Sequence, residues 1–275
     1  METSKLKNIF ILILLGLNIF LVILCFLDRD ASAQADEAAL QAVEEILSAN
    51  GIALDRGVDL TIQAPPVYTV RRNMELEKDK LSKLLGQTSA DDLGGNIIYY
   101  GSASGQASAR GTGELDVLLT SGSVSRGREP VKTAEKVLGK LGMDAVTEYA
   151  SVSGSAGSTT VSIPYAYEGF TVYNSRMDLT FGASELLMIT GTRLFDEETS
   201  ADSQQACDSY SALMYFLASV RDTGYVCSEL RDMDVGYFMS VTVSGECTLT
   251  PVWRFDTDTG SIYINSLTGR AETLY

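Results

Sequence analysis

The sequence predicts an α+β chain in which one N-terminal transmembrane helix precedes two helix-plus-antiparallel-sheet modules. An uncharged apolar run, Ile9–Leu27, lies near the start of the 275 residues. Beyond it, segments with an apolar residue at every third or fourth position alternate with groups of short strand-like segments, separated by Gly and Ser. A helix covering one face of an antiparallel sheet buries the apolar sides of both, which is the α+β arrangement.

The apolar run is predicted to be a retained membrane anchor. Its length as a helix is about 28 Å, close to the ~30 Å hydrocarbon core of a bilayer. Lys5 and Lys7 precede it, so the positive-inside rule places residues 1–8 in the cytoplasm and the C-terminal bulk outside the cell. The alternative is a signal peptide cleaved after Ala33, although its apolar region would be shorter, roughly 7–15 residues.

One face of the predicted transmembrane helix carries Ile11, Asn18 and Cys25, which follow one another at intervals of seven residues. A polar amide within hydrocarbon favours a hydrogen-bonding partner on another helix. This face is therefore predicted to contact a second transmembrane helix. The alternative is that Asn18 lies in lipid without such a contact.

Residues 28–125 are predicted to form a membrane-proximal module. Its first helix covers Asp36–Asn50, where Leu40, Val43, Ile46 and Leu47 share a face and Gly51 follows as a helix stop. The remaining elements are a strand, a helix and three strands, in this order: Val67–Arg71, Glu75–Leu85, Ile97–Tyr100, Ala107–Gly111 and Leu115–Leu119.

Residues 126–275 are predicted to form C-terminal modules in which a helix followed by four strands occurs twice. The first set is a helix over Val131–Leu141 and strands near Val146–Val152, Thr159–Tyr167, Thr171–Phe181 and Leu186–Phe195. The second set is a helix over Ser203–Asp222 and strands near Tyr225–Leu230, Tyr237–Val243, Thr248–Phe255 and Ser261–Asn265. The copies align at Gly182–Gly191 and Gly260–Gly269, each a glycine turn, a short apolar strand and a closing Thr-Gly.

The composition excludes several classes of function. The chain has no histidine, which rules out Ser-His-Asp and Cys-His catalysis and imidazole metal ligands. Its formal net charge of −15 disfavours binding to nucleic acid. Asp-Thr-Gly occurs twice, at Asp222–Gly224 and at Asp258–Gly260. An aspartic protease needs two carboxylates that share a proton, whereas the first triplet ends a predicted helix and the second is a predicted hairpin turn. The chain is therefore predicted not to be an enzyme, and to need no cofactor and no metal.

Three cysteines, Cys207, Cys227 and Cys247, are spaced at intervals of twenty residues beyond the apolar run. An odd number argues against a disulfide framework. Cys227 and Cys247 lie on predicted strands of one sheet, so they either form a disulfide or remain buried free thiols.

An aromatic cluster is expected on the last sheet, from Tyr237, Trp253, Phe255 and Tyr263. It either lines a ligand groove or forms the core between sheet and helix. The second interpretation is favoured because large aromatic residues are usually buried.

Three motifs carry a resemblance to a known family. The first is Lys5–Ile11 leading into Leu17–Leu21, the second is Tyr167–Tyr173, and the third runs from Pro251–Phe255 to Tyr263–Gly269. Together with the order of the elements, they resemble the YycI regulatory proteins of Gram-positive bacteria. The third motif is also similar to the strand–turn–strand end of PepSY-type modules.

The resemblance implies a single-pass, extracytoplasmic regulator without enzymatic activity. Proteins of this family associate with a YycH-like protein and a WalK-type sensor histidine kinase, modulate the kinase through transmembrane helix contacts, and so affect cell-wall homeostasis. The PepSY-like segment implies an alternative, an anchored extracellular module that binds a cell-wall polymer or a protease.

Overall fold

The computed structural model describes residues 40–155, 157–193, 197–202, 204, 206–242 and 246–274. Two compact units divide the chain, Met1–Arg56 and Gly57–Tyr275. Because the predicted transmembrane helix Ile9–Leu27, its contact residues Ile11, Asn18 and Cys25, and the cleavage site at Ala33 lie outside the described residues, they remain predictions. No helix in the described part of the chain combines the length and apolar character that a membrane span needs.

The described part of the first unit holds helix α1, over residues 40–49, and the two-residue strand β1, Ala53–Leu54. Gly51 adopts a φ of 79°, and the amide of Ile52 donates to the carbonyl of Leu47 at 3.0 Å. This is the Schellman arrangement that closes a helix with a left-handed glycine. The predicted helix end at Asn50-Gly51 is thereby confirmed.

The second unit is built from three helices and fifteen strands among its described residues. The helices are α2 (Met74–Leu85), α3 (Pro130–Lys140) and α4 (Ser209–Thr223). The first strands are β2 (Val67–Arg71), β3 (Ser89–Asp92), β4 (Ile97–Ser102), β5 (Gly105–Arg110), β6 (Glu114–Leu119), β7 (Asp144–Ala145) and β8 (Ser151–Ser155). They are followed by β9 (Ser158–Tyr167), β10 (Phe170–Phe181), β11 (Leu186–Thr192), β12 (Glu197–Asp202), β13 (Glu229–Val241), β14 (Glu246–Thr257), β15 (Gly260–Asn265) and β16 (Ala271–Glu272).

The predicted fold class was wrong. Of the described residues, 45% are in strands and 23% in helices, and the strands of the second unit form one large mixed sheet of 15 strands in place of separate helix-plus-sheet modules. The main strand order is β12-β2-β14-β13-β10-β11-β6-β5-β4-β3. The predicted module boundary between residues 125 and 126 does not separate two sheets. Strand β6, before it, pairs antiparallel with β11, after it, with Val117 opposite Ile189.

Strand β10 joins the two halves of the sheet. Val172 pairs in parallel with Tyr237 of β13, whereas Arg176–Phe181 pair antiparallel with β9. Between these segments the side chain of Asn174 replaces a strand partner: its amide donates to the Met239 carbonyl at 2.8 Å and its oxygen accepts from the Met239 amide at 2.7 Å. The pairing of β10 with β13 makes the sheet mixed, and sequence periodicity gives no information about it.

The helices pack on the sheet at two places. Leu81, Leu84 and Leu85 of α2 and Ala134 and Leu138 of α3 belong to the large buried cluster formed with β4–β6 and β9–β11. In α4, Phe216 stacks on Phe255 of β14, with ring centroids 4.7 Å apart. Helices α2, α3 and α4 therefore pack on the sheet of the second unit.

Several element boundaries differ from the prediction for local reasons. The helix expected over Ser203–Asp222 begins at Ser209, because the Asp208 side chain accepts from the Ser211 amide at 2.8 Å and caps it there. The strand expected over Val146–Val152 is interrupted by a 3-10 turn, Thr147–Tyr149. This turn brings Tyr149 next to Arg254 of β14.

Candidate functional site

A cavity of about 150 Å³ lies where β9, β10, β14, β15 and the 3-10 turn meet. Five of the side chains that line it are three tyrosines and two arginines: Tyr149, Tyr173, Tyr263, Arg176 and Arg254. We call this cavity the tyrosine–arginine pocket. Its size suits a functional group of a ligand or a single side chain of a partner protein.

The alternation of β14 places Arg254 in the pocket. Trp253 and Phe255 are fully buried on one face of the strand, so the residue between them lies on the opposite face. On that face Arg254 is opposite Asp234 of β13 and Tyr263 of β15. A single cross-strand row thus sets a cation beside a carboxylate and an aromatic ring.

The other two tyrosines come from the bend in β10 and from the 3-10 turn. The Tyr173 hydroxyl donates to Asp234 Oδ2 at 3.0 Å, and its ring centroid lies 5.2 Å from that of Tyr263. The Tyr149 ring lies over the Arg254 guanidinium, 4.9 Å from centroid to Cζ. This is cation–π geometry, and it fixes the guanidinium from above.

Arg254 is paired with two carboxylates. Its Nη2 donates to Asp232 Oδ2 at 3.0 Å, and Nη1 lies 3.9 Å from Asp256 Oδ1. The side chain is 11% exposed, and its buried Nε–H has no hydrogen-bond acceptor among the described residues. A buried donor without an acceptor costs about 1–3 kcal/mol, so an acceptor that entered the pocket would be favoured.

Arg176 supports the wall of the pocket. Its Nε donates to Ser162 Oγ at 3.0 Å, and its Nη2 donates to the Tyr149 carbonyl at 2.6 Å and to the Ser162 carbonyl at 3.0 Å. These bonds tie the 3-10 turn to β9 and β10, and so hold the Tyr149 ring over Arg254.

All three tyrosines of the pocket are held in the neutral form. Burial raises the pKa of Tyr173, and the neighbouring Asp234 carboxylate raises it further. Burial also raises the pKa of Tyr149 and of Tyr263. Their hydroxyls are therefore protonated at neutral pH. The pocket consequently presents neutral hydroxyl groups and arginine N–H donors to a ligand.

These shifts predict a loss of stability in alkali. Because the folded-state pKa of Tyr173 lies above its ordinary value of 10.0, the unfolded chain releases the proton first once the pH exceeds 10. Stability is then intact below pH 10 and falls as the pH rises further. Urea unfolding at a series of alkaline pH values should show this slope, and Tyr173→Phe should flatten it. An unchanged slope in the variant would contradict the assignment to Tyr173.

A second charged cluster lies on the other side of the sheet and holds α2 in place. Glu77, with a side chain 1% exposed, accepts from Arg72 Nη2 at 2.7 Å and from the Tyr100 hydroxyl at 2.7 Å, and it also pairs with Arg193. Arg72 donates further to the Ala109 carbonyl at 3.0 Å. Both oxygens of Glu77 are engaged within the protein, so we interpret this buried ion cluster as structural.

Of the two alternatives for Cys227 and Cys247, the structure shows free thiols and no disulfide between them. Both are free thiols, and burial raises the pKa of Cys247 to about 12. Cys247 lies opposite Val241 at one end of the β13–β14 pair, whereas Cys227 precedes the other end, where Leu230 is opposite Thr257. At ~3.3 Å per residue, the ten positions between those ends span about 30 Å, far beyond the reach of a disulfide.

The expected aromatic cluster divides between core and site. Trp253, Phe255 and Tyr237 are fully buried, as the core interpretation predicts, whereas Tyr263 lines the tyrosine–arginine pocket. Sequence reasoning missed Arg254, although its position between two buried aromatic residues was a usable signal. No local signal pointed to Tyr149, since it reaches the pocket through a turn that replaced an expected strand.

No family model and no curated protein matches the chain. Among 12 matching chains of solved structures is the crystal structure of an uncharacterized protein from Eubacterium rectale ATCC 33656. Its sequence is 10% identical, the match covers 78% of this chain and 86% of that protein, and the TM-score is 0.46. The resemblance to YycI proteins therefore stays a prediction from the sequence motifs.

Proposed function

We propose that this protein is a membrane-anchored, extracytoplasmic regulator that acts by binding other proteins and is not an enzyme. The observation that carries the proposal is the tyrosine–arginine pocket in the Gly57–Tyr275 unit. Tyrosine and arginine are the residue types most enriched where protein interfaces derive their binding energy. Here they form one site in which at least one donor has no acceptor among the described residues.

The partners come from the sequence resemblance. A WalK-type sensor histidine kinase and a YycH-like protein are the proposed partners, and modulation of the kinase is the proposed output. Two contacts would act together: the helix face of Ile11, Asn18 and Cys25 within the membrane, and the tyrosine–arginine pocket outside it. The proposed location is the cell membrane, with the N-terminus in the cytoplasm.

The test of this function is the autophosphorylation of the kinase in membranes that contain the full-length chain. Exchange of Ile9–Leu27 for an unrelated apolar helix should change the kinase activity to that of membranes lacking the chain. Asn18→Leu should change the kinase activity in the same direction. Phe20→Leu is the matched control, because position 20 lies about 200° around the helix from position 18 and so on the opposite face.

If helix exchange and Asn18→Leu both leave kinase activity unchanged, regulation through the membrane is wrong. The alternative proposal, an anchored module for a cell-wall polymer or a protease, makes a different prediction. The purified full-length chain would then sediment with isolated wall material or hold the protease, and variants of the pocket would lower that binding.

A further inference from the structure

We infer that the tyrosine–arginine pocket binds a carboxylate group, presented as an acidic side chain by the regulated protein partner. The inference deepens the proposed function and rests on it for the source of the carboxylate. It names the chemistry that the outer contact recognises. Three features of the pocket carry it: its charge, its donor groups and its size.

The charged side chains that line the pocket are positive, whereas the chain has a formal net charge of −15. They are Arg176 and Arg254, and no described carboxylate lines the cavity. Three carboxylates lie beside this lining: Asp232 and Asp256 contact the Nη atoms of Arg254, and Asp234 accepts from Tyr173. Arg176 bonds to Ser162 and the Tyr149 carbonyl and to no described carboxylate, so its charge is the one that favours an anionic ligand.

The donor groups match the acceptors of a carboxylate. The buried Nε–H of Arg254 has no acceptor within the described part of the chain. The Tyr149 hydroxyl forms no hydrogen bond to another described residue, and its raised pKa keeps it a donor. A carboxylate supplies two oxygens with about four lone-pair sites, so one group can accept from the Tyr149 hydroxyl and from an arginine that lines the cavity. Arginine also pairs with planar carboxylates through hydrogen bonds that are short and strong.

The size of the pocket limits the ligand. A cavity volume of about 150 Å³ is that of a site which holds one benzene-sized molecule. The side chain of Asp or Glu fits this space, whereas a nucleotide does not.

The first test is a titration of the full-length chain in detergent micelles with sodium acetate, at constant ionic strength in sodium chloride. The arginine Nε–H region of a ¹H–¹⁵N NMR spectrum is the readout, and Arg254→Lys assigns the Arg254 signal. We expect this signal to shift with acetate and to saturate. Acetamide, which has the same shape without the charge, should have no such effect.

Tyr149→Phe is the variant that keeps the ring over Arg254 and removes only the hydroxyl. A hydrogen bond to a charged group predicts about tenfold weaker acetate binding in this variant. Tyr99→Phe is the matched control, because the Tyr99 hydroxyl bonds to Gln106 on another part of the sheet and should leave acetate binding unchanged. The inference is overturned if acetate causes no saturable shift, if acetamide acts equally, or if inorganic phosphate binds more tightly than acetate.

A second test separates a side chain of the partner from a free small carboxylate. The kinase is co-purified from membranes with the full-length chain, with or without excess acetate. Loss of the kinase in Tyr149→Phe and in excess acetate supports an acidic side chain of the partner. If acetate binds the pocket but leaves the complex intact, the ligand is a free small carboxylate. The proposal that a partner protein supplies the carboxylate is then wrong. If the kinase is never retained while acetate binds normally, the proposed function fails and the carboxylate site stands.

Discussion

Replacement of Glu77 by Gln is expected to destabilise the Gly57–Tyr275 unit by about 3–5 kcal/mol. The substitution keeps the size of the side chain and removes its charge, so that two arginines, Arg72 and Arg193, lose their counter-charge in a site where their side chains are 7% and 5% exposed. Removing one partner from a buried ion cluster is costly because the remaining charges stay desolvated. The unit should consequently unfold at a lower temperature.

Thermal unfolding followed by circular dichroism measures this effect. For a unit of this size each kcal/mol shifts the midpoint by about 2–4 °C, so we expect a fall of roughly 10 °C. Glu75→Gln is the matched control: it lies in the same helix turn but is exposed, and it should change stability by less than ~0.5 kcal/mol. Equal midpoints for both variants would show that the buried ion cluster does not hold α2.

Replacement of Gly236 by Ala is also expected to have a large effect, lowering the free energy of unfolding by about 1–3 kcal/mol or more. Gly236 is buried in β13 beside the parallel contact with β10. A Cβ atom there would run into the Thr171 carbonyl oxygen and would lie 2.6 Å from Cε2 of Tyr173. Since the obstacle includes backbone, β10 and β13 must move apart, and this displaces a wall of the tyrosine–arginine pocket.

Replacement of Gly139 by Ala is expected to change the stability of the protein in the opposite direction. Gly139 lies in α3, and a Cβ atom there meets no neighbour within 4 Å. The change should stabilise the protein by up to ~1 kcal/mol through helix propensity. Urea unfolding of both variants gives the comparison. If Gly236→Ala is as stable as Gly139→Ala, the strands at the β10–β13 junction are not in close contact.

The sequence predicted elements better than their arrangement. Helices over Glu75–Leu85 and Val131–Leu141 and strands over Thr159–Tyr167 and Thr171–Phe181 agree with the structure to within a few residues. Local apolar periodicity determines these segments. This periodicity does not indicate which strands pair. The sequence therefore did not predict that β6–β11 and β10–β13 pairing joins the two halves of the sheet. The apparent repeat of helix and four strands suggested modules because chain order was taken as spatial order.

The charged sites were missed for a related reason. Glu77 shares a helix face with Leu81, Leu84 and Leu85, which is a signal that an acidic residue lies among core positions. Arg254 lies between buried aromatic residues in a strand, but its Tyr149 and Tyr173 neighbours are distant in sequence. A single sequence can therefore show that a charged residue lies among core positions. It does not show which residues contact that charge, because this depends on how the strands pair.

The proposed regulation is tested most directly by the amount of WalK-type kinase recovered with the full-length chain from cross-linked membranes of a Gram-positive host. We expect recovery with the wild-type chain and with the controls Phe20→Leu and Tyr99→Phe. With Tyr149→Phe we expect a fall of about tenfold, matching the loss of one hydrogen bond to a charged group. Recovery that is unaffected by Tyr149→Phe, or absent with the wild-type chain, would contradict the claim that this protein regulates a kinase through the tyrosine–arginine pocket.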